Sequence, residues 1–301
     1  MEKYLVIDIG GTAIKYALMF EDGSFVEGAK GDIPTPSESL EVLLDAIDSF
    51  ASKYIDQVAG IAMSAPGRID NKKGYFYTAG ALSHYLSGIN LGDILKEKYG
   101  VPVAIDNDGK CAANAELWLG ALKDVDSGVI IGLGTGIAGG IILNKKIWRG
   151  VHGTSSEFSA LPTNYKDLSY HNFWANVNGV YGLLIPYAAK KGIDVKETNG
   201  RKFFEALHEG DNDAKEVFGE FISTLLVGIL GLQASLDVDK FCIGGGISAQ
   251  DVLIDSLRGA VKEFFAANPV LPMIEPMIDR CAFNNDANLI GALKNYIDLY
   301  K

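Results

Sequence analysis

Cysteine is scarce. The 301 residues hold three, Cys111, Cys242 and Cys281, widely separated and without a CxxC pair. Such a set builds no disulfide framework and reads as small buried hydrophobes in a reducing compartment. The four histidines, His84, His152, His171 and His208, are dispersed, with no pair at metal-ligand spacing, so a transition-metal site is not supported. Basic charge is in deficit: 27 Lys+Arg against 38 Asp+Glu leaves a net −11, which repels a polyanion and argues against nucleic acid as a partner. The P-loop pattern GxxxxGK[ST] is absent, as is any low-complexity stretch or long run of like charge. The opening MEKYLVIDIGG has no uninterrupted apolar region and no small-residue cleavage site, so a cytoplasmic chain is expected. The most apolar later window, 221–236, contains Gln233 and three serine or threonine residues and is shorter than the ~20 residues of a spanning helix. It reads as a buried core helix, with no membrane partner.

What is present is an ordinary globular composition, 48% hydrophobic and 22% charged, in a chain about twice the common domain size. Strand-like and helix-like segments alternate, the pattern of an α/β protein. Strands are expected at Tyr4–Ile9, Ala13–Phe20, Val58–Ser64, Val101–Ile105, Gly128–Leu133, Ile137–Leu143 and Lys240–Ile243. Leu40, Leu43, Leu44 and Ile47 recur at helical spacing, which predicts a helix after Pro36 with one apolar face. Helices are likewise expected at Ala112–Leu119, Lys215–Leu236, Asp251–Phe265 and Asp286–Tyr300, and an irregular insertion over 163–179.

Two segments share a layout. YLVIDIGGTAIKYALMF (4–20) and GVIIGLGTGIAGGIIL (128–143) are each an apolar strand, a glycine turn with a threonine, and a second apolar strand. A single such hairpin is only what a tight turn requires. Two copies, with Thr12 and Thr135 placed alike, suggest duplicated domains facing one another across a cleft, their turn N–H groups and hydroxyls forming phosphate-binding concavities. Asp8 beside the first turn then needs explaining. A carboxylate ~4 Å from a phosphate charge opposes binding by about 4 kcal/mol at an effective dielectric of 20. Mg²⁺ reverses the sign by taking carboxylate, water and phosphate oxygens together, so Asp8 makes sense as a metal holder acting through water. Lys15 could contact a phosphate or simply lie at the strand surface. Gly134, Gly136 and Gly139 satisfy GxGxxG, but IAGGIIL continues as a β-branched strand, where a dinucleotide fingerprint demands a helix.

In VPVAIDNDGKCAANAELWLG (101–120), a strand ends at Asn107 and Asp108 before an alanine-rich helix. Asp108 could be a helix N-cap. It could equally be the carboxylate that accepts a hydroxyl proton in phosphoryl transfer, worth ~10²- to 10⁴-fold. Gly244, Gly245 and Gly246 end a further apolar strand and could lie against adenosine. Glu157, in GTSSEFSALP, could hold a polyhydroxyl ligand or be a solvated loop residue.

DIGGTAIK, SAPGRID, IDNDGKCAANAE, GLGTGIAGG, SSEF and IGGGIS resemble, in order and spacing across essentially the whole chain, the ROK-family sugar kinases. The run SAPGRIDNKKGYFYTAGAL (64–82) looks most like the β-glucoside kinase branch. The resemblance implies a two-domain α/β actin-like ATPase (ribonuclease H-like) fold with ATP and sugar in the interdomain cleft. The smaller N-terminal domain would be 1–117, with the C-terminal helix 286–301 packing back on it, and the larger would be 118–285. Asp8, Gly10, Gly11, Thr12 and Lys15 match the first phosphate motif, Gly134, Thr135 and Gly136 the second, and Gly244, Gly245 and Gly246 the adenosine motif. Asp108 matches the catalytic base, and Gly67, Asn107, Asp108 and Glu157 match positions in contact with sugar. Mg²⁺ at Asp8, ATP as substrate and a homodimer are implied, with phosphorylation of the 6-hydroxyl of a β-glucoside, N-acetylmannosamine or glucose. A silent sugar sensor or repressor of the same family is the alternative. Two departures stand out. Ser159 and Ala160 replace the glycine and histidine of the family's GExGH block, and no cysteine cluster follows, so structural zinc is not expected. Gly80 stands where many members carry an asparagine, leaving room for a substituent on the sugar.

Overall fold

A computed structural model describes all residues, 1–301. The chain divides into two compact units, the first built from 1–123, 147–155 and 285–301, the second from 124–146 and 156–284.

In the first unit, β1 (Lys3–Ile9) and β2 (Ala13–Phe20) form an antiparallel hairpin, registered from Lys3↔Phe20 to Ile9↔Ile14. Strand β3 (Phe25–Pro34) adds antiparallel to β2. Helix α1 (Leu40–Ala51) is capped by the Ser39 hydroxyl, and its Leu43, Ile47 and Phe50 enter the core, as the periodicity predicts. Strand β4 (Ile61–Ala65) then pairs parallel to β1. A small hairpin of β5 (Ile69–Asp70) and β6 (Tyr75–Phe76) follows, then short helix α2 (Ser83–Leu86) and helix α3 (Leu91–Tyr99). Strand β7 (Val103–Asn107) completes the sheet in the order β3-β2-β1-β4-β7 and runs straight into helix α4 (Asp108–Trp118). β1 reads as a continuous apolar run because it is buried on both faces in mid-sheet. β7 reaches two residues beyond the expected Ile105, so α4 starts at Asp108 and not at Ala112.

The second unit repeats the plan. Hairpin β8 (Gly128–Leu133) and β9 (Ile137–Leu143) is antiparallel, the short β10 (Lys146–Ile147) adds to β9, and β11 (Lys240–Gly244) and β12 (Met277–Arg280) continue parallel to β8. The order β10-β9-β8-β11-β12 reproduces the connectivity of the first sheet, so the repeated hairpin layout marks a repeated sheet. Helices α5 (Trp174–Asn178), α6 (Val180–Lys191), α7 (Gly200–Glu209), α8 (Asn212–Leu236) and α9 (Asp251–Ala267) surround it. At 25 residues, α8 is longer than its apolar window suggests and, by length and composition alone, could span a bilayer. Its Ala214, Val217, Phe221, Leu225 and Ile229 instead pack into this unit's core.

The last helix, α10 (Ala287–Tyr300), belongs to the first unit and packs on α4, with further contacts to β4, β7 and β1. Gly291 allows this approach: a Cβ there would lie 1.7 Å from the Cys111 carbonyl oxygen. The division falls after Lys123 rather than after 117, because the Ala121 and Leu122 amides bond back to Glu116 at the end of α4, at 2.8 and 3.0 Å. The segment 147–155, expected in the second domain, belongs to the first, where the Arg149 guanidinium pairs with buried Asp106. No disulfide joins the three cysteines, and all three are buried.

Candidate functional site

In the first unit, the carboxyl ends of the parallel strands β1, β4 and β7 lie side by side, where α/β sheets gather polar groups. Gly10–Thr12 follow β1, Gly67 follows β4, and Asn107 closes β7. The register places Asp8 beside Ser64 and Ser64 beside Asp106.

The β1–β2 turn is fixed at its base. The Gly10 N–H donates to Ala13 O at 3.0 Å, while Thr35 reaches across to Gly10 O and Thr12 O through its hydroxyl and amide, at 2.7 and 3.1 Å. Gly11 and Thr12 stand exposed at the tip, and their N–H groups make no backbone hydrogen bond. Two adjacent free amides on an anchored turn are what a phosphate oxygen would meet. Lys15 pairs with Asp8 in register, and its ammonium sits 3.5 Å from Asn285 O.

Asp8 is 6% exposed. Burial pushes its carboxyl above the usual carboxylate range, and the Ser64 hydroxyl, the Asn288 amide and the Lys15 charge pull it back only in part. Asn288 Nδ2 donates to Asp8 Oδ1 at 3.1 Å, whereas Ser64 Oγ, though close enough to help, forms no hydrogen bond of regular geometry. A desolvated carboxylate beside an unsatisfied hydroxyl suits a hard cation with oxygen ligands. The chain has no cluster of three or more His, Cys, Asp or Glu side chains able to hold a metal.

The cap of α4 is Asn107, whose Oδ1 accepts the Lys110 N–H at 3.2 Å. Asp108 is therefore the first helical residue and is not needed as the cap. Asn107 Nδ2 donates to Gly67 O at 3.0 Å and to Asp108 Oδ1 at 2.9 Å, and the Gly109 N–H donates to the same oxygen at 2.8 Å. Asp108, half-buried, is thus aimed by two donors, as a positioned proton acceptor requires. Gly67 is pinned in turn: with φ at +103°, a Cβ there would lie 2.2 Å from Thr78 O.

In the second unit, the matching edge carries the other two glycine motifs. Gly134 N–H donates to Gly136 O at 3.0 Å, Val180 N–H at the start of α6 donates to Gly134 O at 2.8 Å, and Thr135 lies exposed at the tip. The Thr135 and Gly136 N–H groups make no backbone hydrogen bond, as in the first hairpin. Ser159 anchors this turn: its hydroxyl accepts the Ile137 N–H at 2.9 Å and donates to Ile137 O at 3.1 Å. Gly244 pairs with Gly132 across β11 and β8. Gly245, at φ +86°, lies so close to the neighbouring strand that a Cβ would sit 2.2 Å from Leu133 O, a place only glycine can occupy. Gly246 opens a 3₁₀ turn before α9. Glu157 is exposed.

The sheet edge of the first unit carries Asp8, Gly10–Thr12, Gly67, Asn107 and Asp108, and that of the second carries Gly134–Gly136 and Gly244–Gly246, while Glu157 stands apart as an exposed residue. Sequence reasoning missed Ser64, Arg149 and Ser159. Only Ser159 left a trace, as the departure from GExGH.

A family model described as "ROK family" matches residues 4–297. The chain is 30% identical to a β-glucoside kinase of Listeria innocua, over 98% of this chain and 97% of that one. Among solved structures, it is similar to a ROK family protein from Streptococcus pneumoniae in complex with sucrose, at TM-score 0.89 and 31% identity, covering 98% of each chain. A ROK family glucokinase from Streptomyces griseus in complex with glucose and AMPPNP superposes at TM-score 0.81 and 25% identity, over 97% of this chain and 98% of that one. The fold is the one the motifs imply, α/β units of the actin-like ATPase type.

Proposed function

From the premise that the chain belongs to the ROK family, we propose that this sugar kinase transfers the γ-phosphoryl group of Mg·ATP to the 6-hydroxyl of a hexose or hexoside. The observation that carries the reading is the aimed carboxylate of Asp108. It sits on the same sheet edge as the turn that leaves the Gly11 and Thr12 amides open.

Asp108 accepts the proton of the attacking hydroxyl, so that the oxygen becomes nucleophilic as it meets phosphorus. Asn107 and the Gly67 loop orient the sugar beside it, with Glu157 as a further hydroxyl contact. The amides of Gly10–Thr12 and Gly134–Gly136 receive phosphate oxygens with Lys15 nearby, and Gly244–Gly246 give adenosine a surface without side chains. Asp8 would hold magnesium through water, and the ion would supply neutralisation of the charge on the transferring phosphoryl group. The relative crystallised with glucose and AMPPNP supports the substrate pair, and the β-glucoside kinase supports glycosides among the acceptors. A homodimer and a cytoplasmic setting belong to the same reading.

The test is Asp108→Asn, assayed by coupled ADP release over glucose, N-acetylmannosamine and cellobiose. We expect turnover to fall by ~10²-fold or more, with AMPPNP affinity and melting temperature unchanged. A variant retaining more than a few per cent of wild-type turnover would place the base elsewhere.

A further inference from the structure

The run 64–82 holds a feature that phosphoryl transfer does not use. The Arg68 backbone is locked against the strand opposite: Arg68 N–H donates to Thr78 Oγ1 at 3.0 Å, and Tyr77 N–H donates to Arg68 O at 2.9 Å. Its side chain is held as well. The guanidinium carbon lies 4.1 Å from the centroid of the Tyr77 ring, and Nε donates to His152 O at 2.8 Å. The Tyr77 ring, 44% exposed, is braced edge-on by Tyr75 at 5.1 Å. Arg68 nevertheless forms no ion pair, and its two terminal nitrogens donate to nothing in the chain. A surface arginine ordinarily keeps its rotamer freedom, whereas this side chain is held at two points, by the Tyr77 ring and by His152 O. What remains is a fixed pair of donors beside an open aromatic ring.

The location follows from the chain. Arg68 is the neighbour of Gly67, whose carbonyl accepts the Asn107 amide, and that amide also touches Asp108. Arg68 thus follows directly, in the chain, the loop proposed to hold the phosphorylated ring, with its side chain turned to Tyr77 and His152 O. On the same 64–82 run Gly80 offers no side chain, and a Cβ there would touch only Pro66, at 3.5 Å.

We propose that Arg68 and Tyr77 form an outer subsite that receives the second, polyhydroxylated ring of a glycoside. Arg68 donates to its hydroxyls, and Tyr77 covers one face of it. The inference rests on the hexose-or-hexoside kinase reading and adds the residues that would set a preference for a second ring over a free hexose.

The test compares kcat/KM for glucose, methyl β-glucoside and cellobiose in the wild-type protein and in Arg68→Ala, Arg68→Gln and Tyr77→Ala. Loss of a charged donor to a bound hydroxyl predicts a fall of about tenfold or more with cellobiose in both Arg68 variants. Tyr77→Ala is expected to act in the same direction. Glucose turnover stays within about twofold, which also shows that the variants fold. Equal losses on cellobiose and glucose, no loss on either, or a wild-type protein that accepts glucose and refuses cellobiose would each overturn the outer subsite while leaving the hexose-kinase reading standing. A wild-type protein inactive on all three, with Asp108→Asn making no difference to any sugar tried, would overturn both.

Discussion

Replacing Arg149 by methionine removes the cation that faces the most deeply buried carboxylate of the first unit's sheet. Asp106 is 1% exposed, and its neutralising partner is the Arg149 guanidinium, whose Nη2 also donates to Asn295 Oδ1 at 3.1 Å. In Arg149→Met, Asp106 is left with the Asn107 N–H, which donates to its Oδ1 at 2.9 Å. Breaking a buried pair from one side costs about 3–5 kcal/mol, because the remaining charge is left desolvated. The Arg149 side chain is itself 29% exposed, so water can reach the vacated place and the lower end, about 3 kcal/mol, is expected. That is a large part of a typical total stability of ~5–15 kcal/mol. Trp148 adjoins Arg149 in the chain and is half exposed, so urea unfolding followed by tryptophan fluorescence checks the loss as a shift of the unfolding midpoint. Asp106→Asn combined with Arg149→Met removes both charges and should cost clearly less than the sum of the single variants. A single variant within about 0.5 kcal/mol of wild type, or a double variant equal to the sum, would refute the account.

Gly291→Ala drives a methyl into the Cys111 carbonyl where α10 crosses α4. A loss of 3 kcal/mol or more, at the upper end of overpacking costs, should appear as a melting temperature lowered by roughly 6 °C or more or as insoluble protein. Asp8→Asn should part stability from activity. With its folded pKa raised by burial, Asp8 binds a proton in the native state that the unfolded chain has released. Stability therefore falls as pH rises from the ordinary carboxylate range through the raised value, and the penalty stays complete above it. Melting curves in EDTA should show Asp8→Asn gaining on wild type from pH 4 to pH 7.5 while ADP release is lost. An asparagine variant less stable than wild type at pH 7.5 would contradict this.

Much of the fold was legible because its central strands are apolar throughout. β2, β8 and β9 fall where the apolar runs predict, and the repeated hairpin announced the repeated sheet. The strands that went unseen are on the edges. β3 carries exposed Glu27, Gly28, Lys30 and Asp32 among its ten residues, and β12 has four residues, so solvent dilutes the pattern that betrays a buried strand. Asp108 was legible by type and by place, but its separation from the capping role was not, since Asn and Asp serve equally well as caps. The Arg149–Asp106 pair and the Arg68–His152 bond join residues 43 and 84 positions apart, and no local periodicity encodes a partner at that distance.

The route of the chain bears on how the protein is made. Residues 124–146 and 156–284 form one unit, whereas the other waits for 285–301. A ribosome releasing residues in order presents the complete ingredients of the later-encoded half first. The half encoded first can bury β1, β4 and β7 beneath α10 only after residues 285–301 have emerged, so until then its apolar sheet lacks that cover.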